Sequence, residues 1–248
     1  MAQDYFLSRK SCRKFKQEKI SKEKVENIIW QASKAPTCGN MQLYSVIVTE
    51  DEENKKKLSG FHYNQPASTS APLILTICAD FNRFTRWCIQ NKADARYNNF
   101  HSFIVAMEDA LILAQQITTI AELEGLGTCY LGTVTYNAKE ISELLKLPEL
   151  VIPVASLAIG IPDEKGEKTK RLPLDSFLHY ESYHNDSEDK LKELYKVHDD
   201  DPENEKFIKE NKKENLAQVF AEVRYPGDLN EAVSESFFKH LQAKGFIK

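Results

Sequence analysis

The apolar positions of the first fifty residues predict a helix followed by a strand. The helix is expected to begin after Ser21, whose side chain can cap it. Its apolar residues recur at the i, i+3, i+4, i+7 spacing of a core-facing surface: Val25, Ile28, Ile29 and Ala32. Residues 43–50 are rich in β-branched and aromatic side chains, which favour a strand. Residues 35–42 therefore form a connection from a helix to a strand.

The middle of the chain adds further elements of both kinds. Residues 51–60 predict a short exposed helix that ends at Gly60. Residues 71–80 form a short apolar run, which predicts a buried strand. A long helix is expected over residues 101–124, and its wide apolar arc places it near the middle of the core. Residues 126–134 resemble a strand with a glycine interruption.

The last part of the chain becomes strongly charged. Before it, a short helix capped by Asn137 and a strand over residues 151–162 are expected. Residues 186–215 hold 11 acidic side chains and 7 lysines, which is typical of solvated helix and linker. A last amphipathic helix over residues 231–246 places three apolar residues on one face: Val233, Phe237 and Leu241. Because helices and strands do not alternate regularly, we predict an α+β single domain with a C-terminal extension.

The overall composition excludes several classes of function. The 248 residues carry a formal net charge of −4, from 33 basic and 37 acidic side chains, so no nucleic-acid partner is expected. The first ten residues lack the apolar segment of a signal peptide, and no run of 18 apolar residues predicts a membrane partner. We therefore expect a cytoplasmic protein.

The cysteines and histidines do not show the spacing of a metal site. The five cysteines never form a C-x-x-C pair, and the six histidines form no H-E-x-x-H motif. An odd number of cysteines without such spacing also argues against a disulfide framework. We expect no metal and no structural disulfide.

The segment 8–24 is basic within an acidic chain. It holds eight Lys and Arg residues against two Glu, and most of them are expected to form a solvated face. A tighter group at its start combines arginine forks with a hydroxyl, which suits a phosphate: Arg9, Lys10, Ser11 and Arg13. No Walker A sequence is present, and residues 125–130 lack the third glycine of a dinucleotide fingerprint.

The connection at residues 35–42, APTCGNMQ, raises the question of a nucleophile. Cys38 has no histidine nearby in sequence to act as a base, so a packing or contact role is favoured over catalysis. Pro36 can end the preceding helix and Gly39 allows unusual backbone torsions. The loop is therefore interpreted as a polar cradle, and a cysteine-dependent enzyme remains the alternative.

Two of these segments together resemble the nitroreductase superfamily of FMN-dependent oxidoreductases. RKSCRKF followed by APTCGNMQLYSVIV matches the family's basic-Ser-x-basic motif and its Pro-Ser/Thr-x-x-Asn-x-Gln loop. The similarity continues in order through residues 63–80, 125–134, 152–162 and 168–173, and so covers roughly residues 5 to 183. The long tail is most similar to the larger oxygen-insensitive nitroreductase and flavin reductase group.

The resemblance implies a set of FMN-binding residues and no catalytic side chain. Arg9, Lys10 and Ser11 would hold the phosphate and ribityl chain, and Arg13 would lie nearer the pyrimidine edge. The partner subunit would contribute Thr37, Cys38 and Asn40. The isoalloxazine ring would be contacted by Gln65, Tyr130, Leu131, Gly132 and Thr133. Arg171 matches a late phosphate-binding arginine; Thr169 replaces the family's lysine, and either Lys170 or Lys168 could substitute for it.

The resemblance also implies a fold, an assembly and an activity. The fold is a central mixed sheet flanked by helices, with a long central helix, in a domain-interlocked homodimer. Residues 1–183 would form the FMN-binding domain, and residues 184–248 a charged extension of the same fold unit that wraps the partner. The activity would be ping-pong hydride transfer from NAD(P)H through FMN to nitroaromatics, quinones or free flavin. A non-catalytic FMN store or redox sensor is the alternative.

Overall fold

Helices and strands are mixed along the chain in this computed structural model, which describes residues 2–166 and 168–247. The helices are α1 Ala2–Ser8, α2 Lys22–Ala32, α3 Glu52–Phe61, α4 Pro66–Ser70, α5 Asn82–Gln90, α6 Phe100–Leu123, α7 Ala138–Leu144, α8 Glu188–Asp199, α9 Pro202–Glu210, α10 Leu216–Gln218 and α11 Gly227–Ala243. The strands are β1 Tyr44–Thr49, β2 Leu73–Asp80, β3 Gly127–Tyr130 and β4 Val151–Gly160. The α+β class predicted from the sequence is confirmed.

The four strands of the described residues form one sheet in the order β1-β2-β4-β3, and every neighbouring pair is antiparallel. Leu75 of β2 lies opposite Leu157 of β4, and Cys129 of β3 lies opposite Ala158 of β4. The prediction of a mixed sheet is therefore wrong for the described strands. The physical reason is that β1 and β2, like β3 and β4, are joined by connections that leave and re-enter the same end of the sheet.

The core lies between this sheet and the long helix α6. Every residue of β2 and of β4 is buried, which confirms the predicted buried strand over residues 71–80. α6 buries small and branched residues in one hydrophobic cluster with residues of β2 and β4. Its members include Ala106, Ala110, Leu113 and Ile117. By length and composition α6 is also the one candidate membrane span among the described helices, a test that the buried core helix of a soluble protein passes too.

The predicted N-terminal cap of α2 is confirmed, whereas the predicted N-terminal cap of α7 is wrong. Ser21 Oγ accepts the N–H of Lys24 at 3.2 Å, as expected of the N-cap of α2. Asn137 precedes α7 but makes no capping bond; its Nδ2 donates instead to the carbonyl of Phe61 at 2.6 Å. The amide is used to join two segments, so its capping role is lost.

The chain divides into two units. One unit comprises residues 1–167 and 233–248 and includes the sheet, and the other comprises residues 168–232. The charged segment of the second unit forms helices α8 and α9, as its composition predicted. The predicted domain boundary at 183/184, the interlocked dimer and the wrapping extension stay predictions.

Candidate functional site

The basic segment after α1 crosses the ends of β3 and β4. The backbone N–H of Cys12 donates to the carbonyl of Thr128, and that of Lys16 donates to Ile161, both at 2.9 Å. Phe15 forms an isolated antiparallel bridge with Pro162. These bonds fix the backbone of the segment without using its charged side chains.

Two glycines make this close approach possible. A Cβ atom on Gly127 would lie 2.6 Å from Cβ of Cys12. A Cβ atom on Gly160 would lie 2.6 Å from Pro72 Cδ and 2.8 Å from a ring carbon of Phe15. Real side-chain contacts are never this short, so a backbone shift would be needed for any other residue.

Three of the predicted phosphate-binding residues line one cavity of about 180 Å³. They are Arg9, Lys10 and Ser11, whereas Arg13 lies outside the lining and is exposed. Lys165 adds a positive charge to the cavity, and Glu122 and Glu164 add two negative charges. The structure thus brings the basic group together but sets carboxylates beside it.

Glu122 on α6 accepts three hydrogen bonds beside this cavity. Its Oε1 accepts from Arg9 at 3.1 Å and from the hydroxyl of Thr128 at 2.5 Å, and its Oε2 accepts from Tyr5 at 2.7 Å. Burial, and then the bond to Glu122, raise the pKa of Tyr5 to about 12. Arg9 therefore has its charge balanced within the chain, while Lys10 donates to the neutral carbonyl of Gly166 at 3.2 Å.

A second group of predicted residues lies where β3 ends. Tyr130 is partly exposed, whereas the side chain of Leu131 is buried in the core, so a ligand could meet Leu131 through its backbone alone. A 3-10 turn, Gly132–Thr135, follows instead of the predicted longer strand. A Cβ atom on Gly132 would meet no atom within 4 Å, so its backbone faces open space.

His62 connects this turn to the segment that carries Gln65. Its Nδ1 lies 3.0 Å from the hydroxyl of Thr133, and its ring is fully buried. Burial lowers the pKa of His62 to about 4, so the ring is neutral at pH 7. Gln65 precedes α4 and is half-buried. The predicted residues Thr133 and Gln65 therefore lie on segments that are joined by a hydrogen bond.

The cradle loop, residues 35–42, has a left-handed backbone at three positions. Gly39, Asn40 and Gln42 have φ angles of 55°, 56° and 53°. Cys38 is exposed, and the buried hydroxyl of Thr37 has no hydrogen-bond partner in the described part of the chain. The predicted unusual torsion at Gly39 is confirmed. None of these loop residues lines the cavity beside Arg9.

Asp109 and Arg83 hold this loop, and neither was predicted from the sequence. The N–H groups of Cys38 and Leu43 donate to the two carboxylate oxygens of Asp109, at 2.8 and 3.1 Å. Arg83 on α5 donates to the carbonyls of Gln42 and Tyr44. An aspartate inside the apolar pattern of α6 is a signal for a buried hydrogen-bonding role, but its partners lie far away in sequence.

The late basic residues lie in the second unit. Lys170 forms an ion pair with Asp201 at 3.0 Å, and the hydrogen bond from Lys170 holds the pKa of Asp201 below its usual range. Arg171 and Lys168 are exposed. Lys170 is thus already paired, whereas among the described residues no carboxylate partner is found for Arg171.

Metal-binding geometry is not found in the part of the chain that the structure describes. No group of three His, Cys, Asp or Glu side chains comes together there. Cys12, Cys78, Cys88 and Cys129 are buried free thiols. Burial raises the pKa of Cys12, Cys78 and Cys129, which makes these thiols poor nucleophiles.

Known proteins share much of this sequence and fold. The sequence model of the nitroreductase family matches residues 7–161. The chain belongs to the nitroreductase family. This family member is 33% identical over 239 residues to the FMN reductase [NAD(P)H] of Bacillus subtilis (strain 168), covering 93% of this chain and 94% of that one. The resemblance inferred from the two sequence segments is thus confirmed.

Solved structures share the fold over almost the whole chain. A protein from Bacteroides fragilis NCTC 9343 is 43% identical with a TM-score of 0.97, covering 99% of this chain and all of that one. NfrA2 of B. megaterium is 32% identical with a TM-score of 0.81, covering 99% of this chain and 98% of that one. Both structures therefore share the fold of this chain through its charged C-terminal part as well.

Proposed function

We propose that this protein is an FMN-dependent NAD(P)H oxidoreductase that passes reducing equivalents to nitroaromatics, quinones or free flavin in a ping-pong cycle. The observation that carries the proposal is the arrangement within one unit of the basic segment, the end of β3 and the Gln65 segment. These three segments are the ones that the family resemblance assigns to FMN. The similarity to a B. subtilis FMN reductase supports the same class of reaction.

The donors around the cavity fit the phosphate end of FMN. Lys10 and Ser11 would bind the phosphate directly, while Arg9, anchored by Glu122, would present its remaining N–H groups. The family resemblance assigns Arg171 a further contact with the phosphate. When bound, FMN supplies the two-electron chemistry of accepting and donating a hydride.

The neutral groups fit the flat ring. Gln65 would hydrogen-bond the polar edge of the isoalloxazine ring. The open backbone at Gly132 would allow the ring to approach closely. Arg13 would face the pyrimidine edge, where a positive charge stabilises the negative charge of the reduced ring. We assign no proton-donating side chain, and water would supply protons.

The size of the cavity favours a site shared between two subunits. Its 180 Å³ is below the roughly 300–1,000 Å³ of complete small-molecule pockets. α6 also exposes apolar side chains, with Phe100 at 51%, Leu111 at 41% and Ile112 at 42% exposure. Such a surface is expected to be covered by a partner. In a homodimer, the second copy would contribute the cradle loop, with Thr37, Cys38 and Asn40.

The catalytic part of the proposal is tested by stopped-flow mixing of the FMN-loaded protein with NADPH and with NADH. Rapid bleaching at flavin wavelengths, followed by recovery when a quinone or nitroaromatic is added, is the expected result. A protein that binds FMN but does not bleach would be a flavin store or redox sensor. A protein that binds no FMN would refute the proposal.

The assembly is tested by sedimentation at several dilutions, with and without FMN. FMN should stabilise the dimer, because a ligand that binds the dimer alone shifts the equilibrium by mass action. Leu111→Glu should weaken the dimer and FMN binding together. Asn54→Asp, which adds the same charge at an exposed position of α3, is the matched control. An FMN-loaded monomer would contradict the shared site.

A further inference from the structure

The cradle loop needs an anchor outside itself. Three of the four residues from Gly39 to Gln42 have left-handed backbone, and two of these are not glycine. Such a conformation persists only where the surrounding structure holds it. The loop's own hydrogen bonds are short-range, from Asn40 N–H to Thr37 and from Met41 N–H to Cys38. They shape the turn but do not attach it to the rest of the protein.

Asp109 supplies that attachment at both ends of the left-handed segment. Its side chain is 3% exposed, and its two oxygens each accept one backbone N–H, from Cys38 and from Leu43. A carboxylate suits this position because it has two acceptor oxygens and no donor. An asparagine would keep one acceptor and turn an N–H₂ group toward the second backbone N–H.

Asp109, which anchors the loop, lies on the long core helix α6. Asp109 lies in the middle of α6 beside Ala110, which is fully buried against the core. Arg83 holds the carbonyls of Gln42 and Tyr44 from α5. The loop is therefore fixed through its N–H groups by a carboxylate and through its carbonyls by a guanidinium. The buried hydroxyl of Thr37, which finds no hydrogen-bond partner among the described residues, directly precedes the anchored Cys38.

We propose that Asp109 is a positioning residue of the FMN site, which fixes the cradle loop so that Thr37, Cys38 and Asn40 present preformed contacts to the cofactor. This inference rests on the proposed function. A loop that is already ordered loses less conformational freedom when the ligand binds, so the anchor increases FMN affinity without touching FMN. Loss of one charge-assisted bond is expected to weaken FMN binding about ten- to hundredfold.

The test compares Asp109→Asn with Glu108→Gln, which removes a charge from the exposed neighbour on the same helix. FMN affinity is measured by flavin fluorescence on dimeric, FMN-depleted protein, and amide hydrogen exchange is measured over residues 36–44. Asp109→Asn should weaken FMN binding at least tenfold and speed exchange in that segment, with unchanged protection in β2 and β4. Glu108→Gln should match the wild type in all three measurements.

The outcomes separate this inference from the proposed function. A folded Asp109→Asn protein with wild-type FMN affinity would overturn the positioning role. In the FMN-depleted wild type, the amides of Cys38 and Leu43 should exchange at least a hundredfold more slowly than in an unfolded chain. Exchange of these two amides at the unfolded rate would also overturn the anchoring role. This measurement uses the wild type, so it does not depend on whether the variant folds. Slow exchange in a protein that binds no FMN would refute the proposed function and leave the anchor supported.

Discussion

Lowering the pH from 7 to 4 is expected to remove about 3 kcal/mol of the free energy of unfolding through His62 alone. The ring is fully buried, and burial lowers its pKa from 6.5 to about 4. One pKa unit corresponds to about 1.4 kcal/mol, so a shift of this size gives roughly 3 kcal/mol. Between pH 6.5 and pH 4 the unfolded chain binds the proton and the folded chain does not. The contribution is therefore complete above pH 6.5 and is lost as the pH falls to 4.

The assay is urea unfolding of the FMN-depleted protein, followed by circular dichroism at pH 7, 6, 5 and 4. His62→Asn is the informative variant, because its amide can replace Nδ1 in the bond to Thr133 but does not titrate. The free energy of unfolding of the wild type minus that of the variant should fall by about 3 kcal/mol toward pH 4. The other titrating groups are the same in both proteins, so their contributions cancel in this difference. His101→Asn, at an exposed position, is the control. Parallel pH profiles for wild type and His62→Asn would refute the reasoning.

Three further changes test the site and its support. Cys38→Ser should keep most of the NAD(P)H oxidation rate, measured with an artificial acceptor, because the exposed Cys38 is interpreted as a contact residue. Arg171→Ala should weaken FMN binding about ten- to hundredfold in a fluorescence titration, since one charge-assisted phosphate contact is lost. Gly160→Ala should lower the free energy of unfolding by about 1–3 kcal/mol in denaturant titration, because its Cβ would collide with Pro72 and Phe15.

For each of these three variants, one result would contradict the prediction. A rate loss beyond about a hundredfold in Cys38→Ser, roughly 2.7 kcal/mol in the barrier, would restore the nucleophile hypothesis. Unchanged FMN affinity in Arg171→Ala, with a loss in Lys168→Ala, would move the phosphate contact to that lysine. Gly60→Ala is the control for Gly160, because a Cβ atom at Gly60 meets nothing within 4 Å; equal losses in both would remove the steric explanation.

Local patterns predicted the elements better than they predicted the contacts between them. The cap at Ser21 and the buried strand β2 depend on neighbouring residues, so sequence spacing was sufficient. The sheet direction depends on pairings between distant segments, and there the prediction of a mixed sheet was wrong. Asp109 was missed for the same reason, because it acts on a loop that lies about 70 residues earlier.

The docking of the basic segment onto the sheet has a consequence for the order of events during synthesis. Cys12 and Lys16 are bonded to Thr128 and Ile161, so the segment cannot take its final course until residues near 161 are available. At about 5–20 residues per second, the ribosome needs roughly 7–30 s to add that intervening chain. Throughout this interval the residues from Cys12 to Lys16 lack their final backbone partners. In the proposed FMN site, the part that is made first is thus the part that matures last, so cofactor loading would wait for β4.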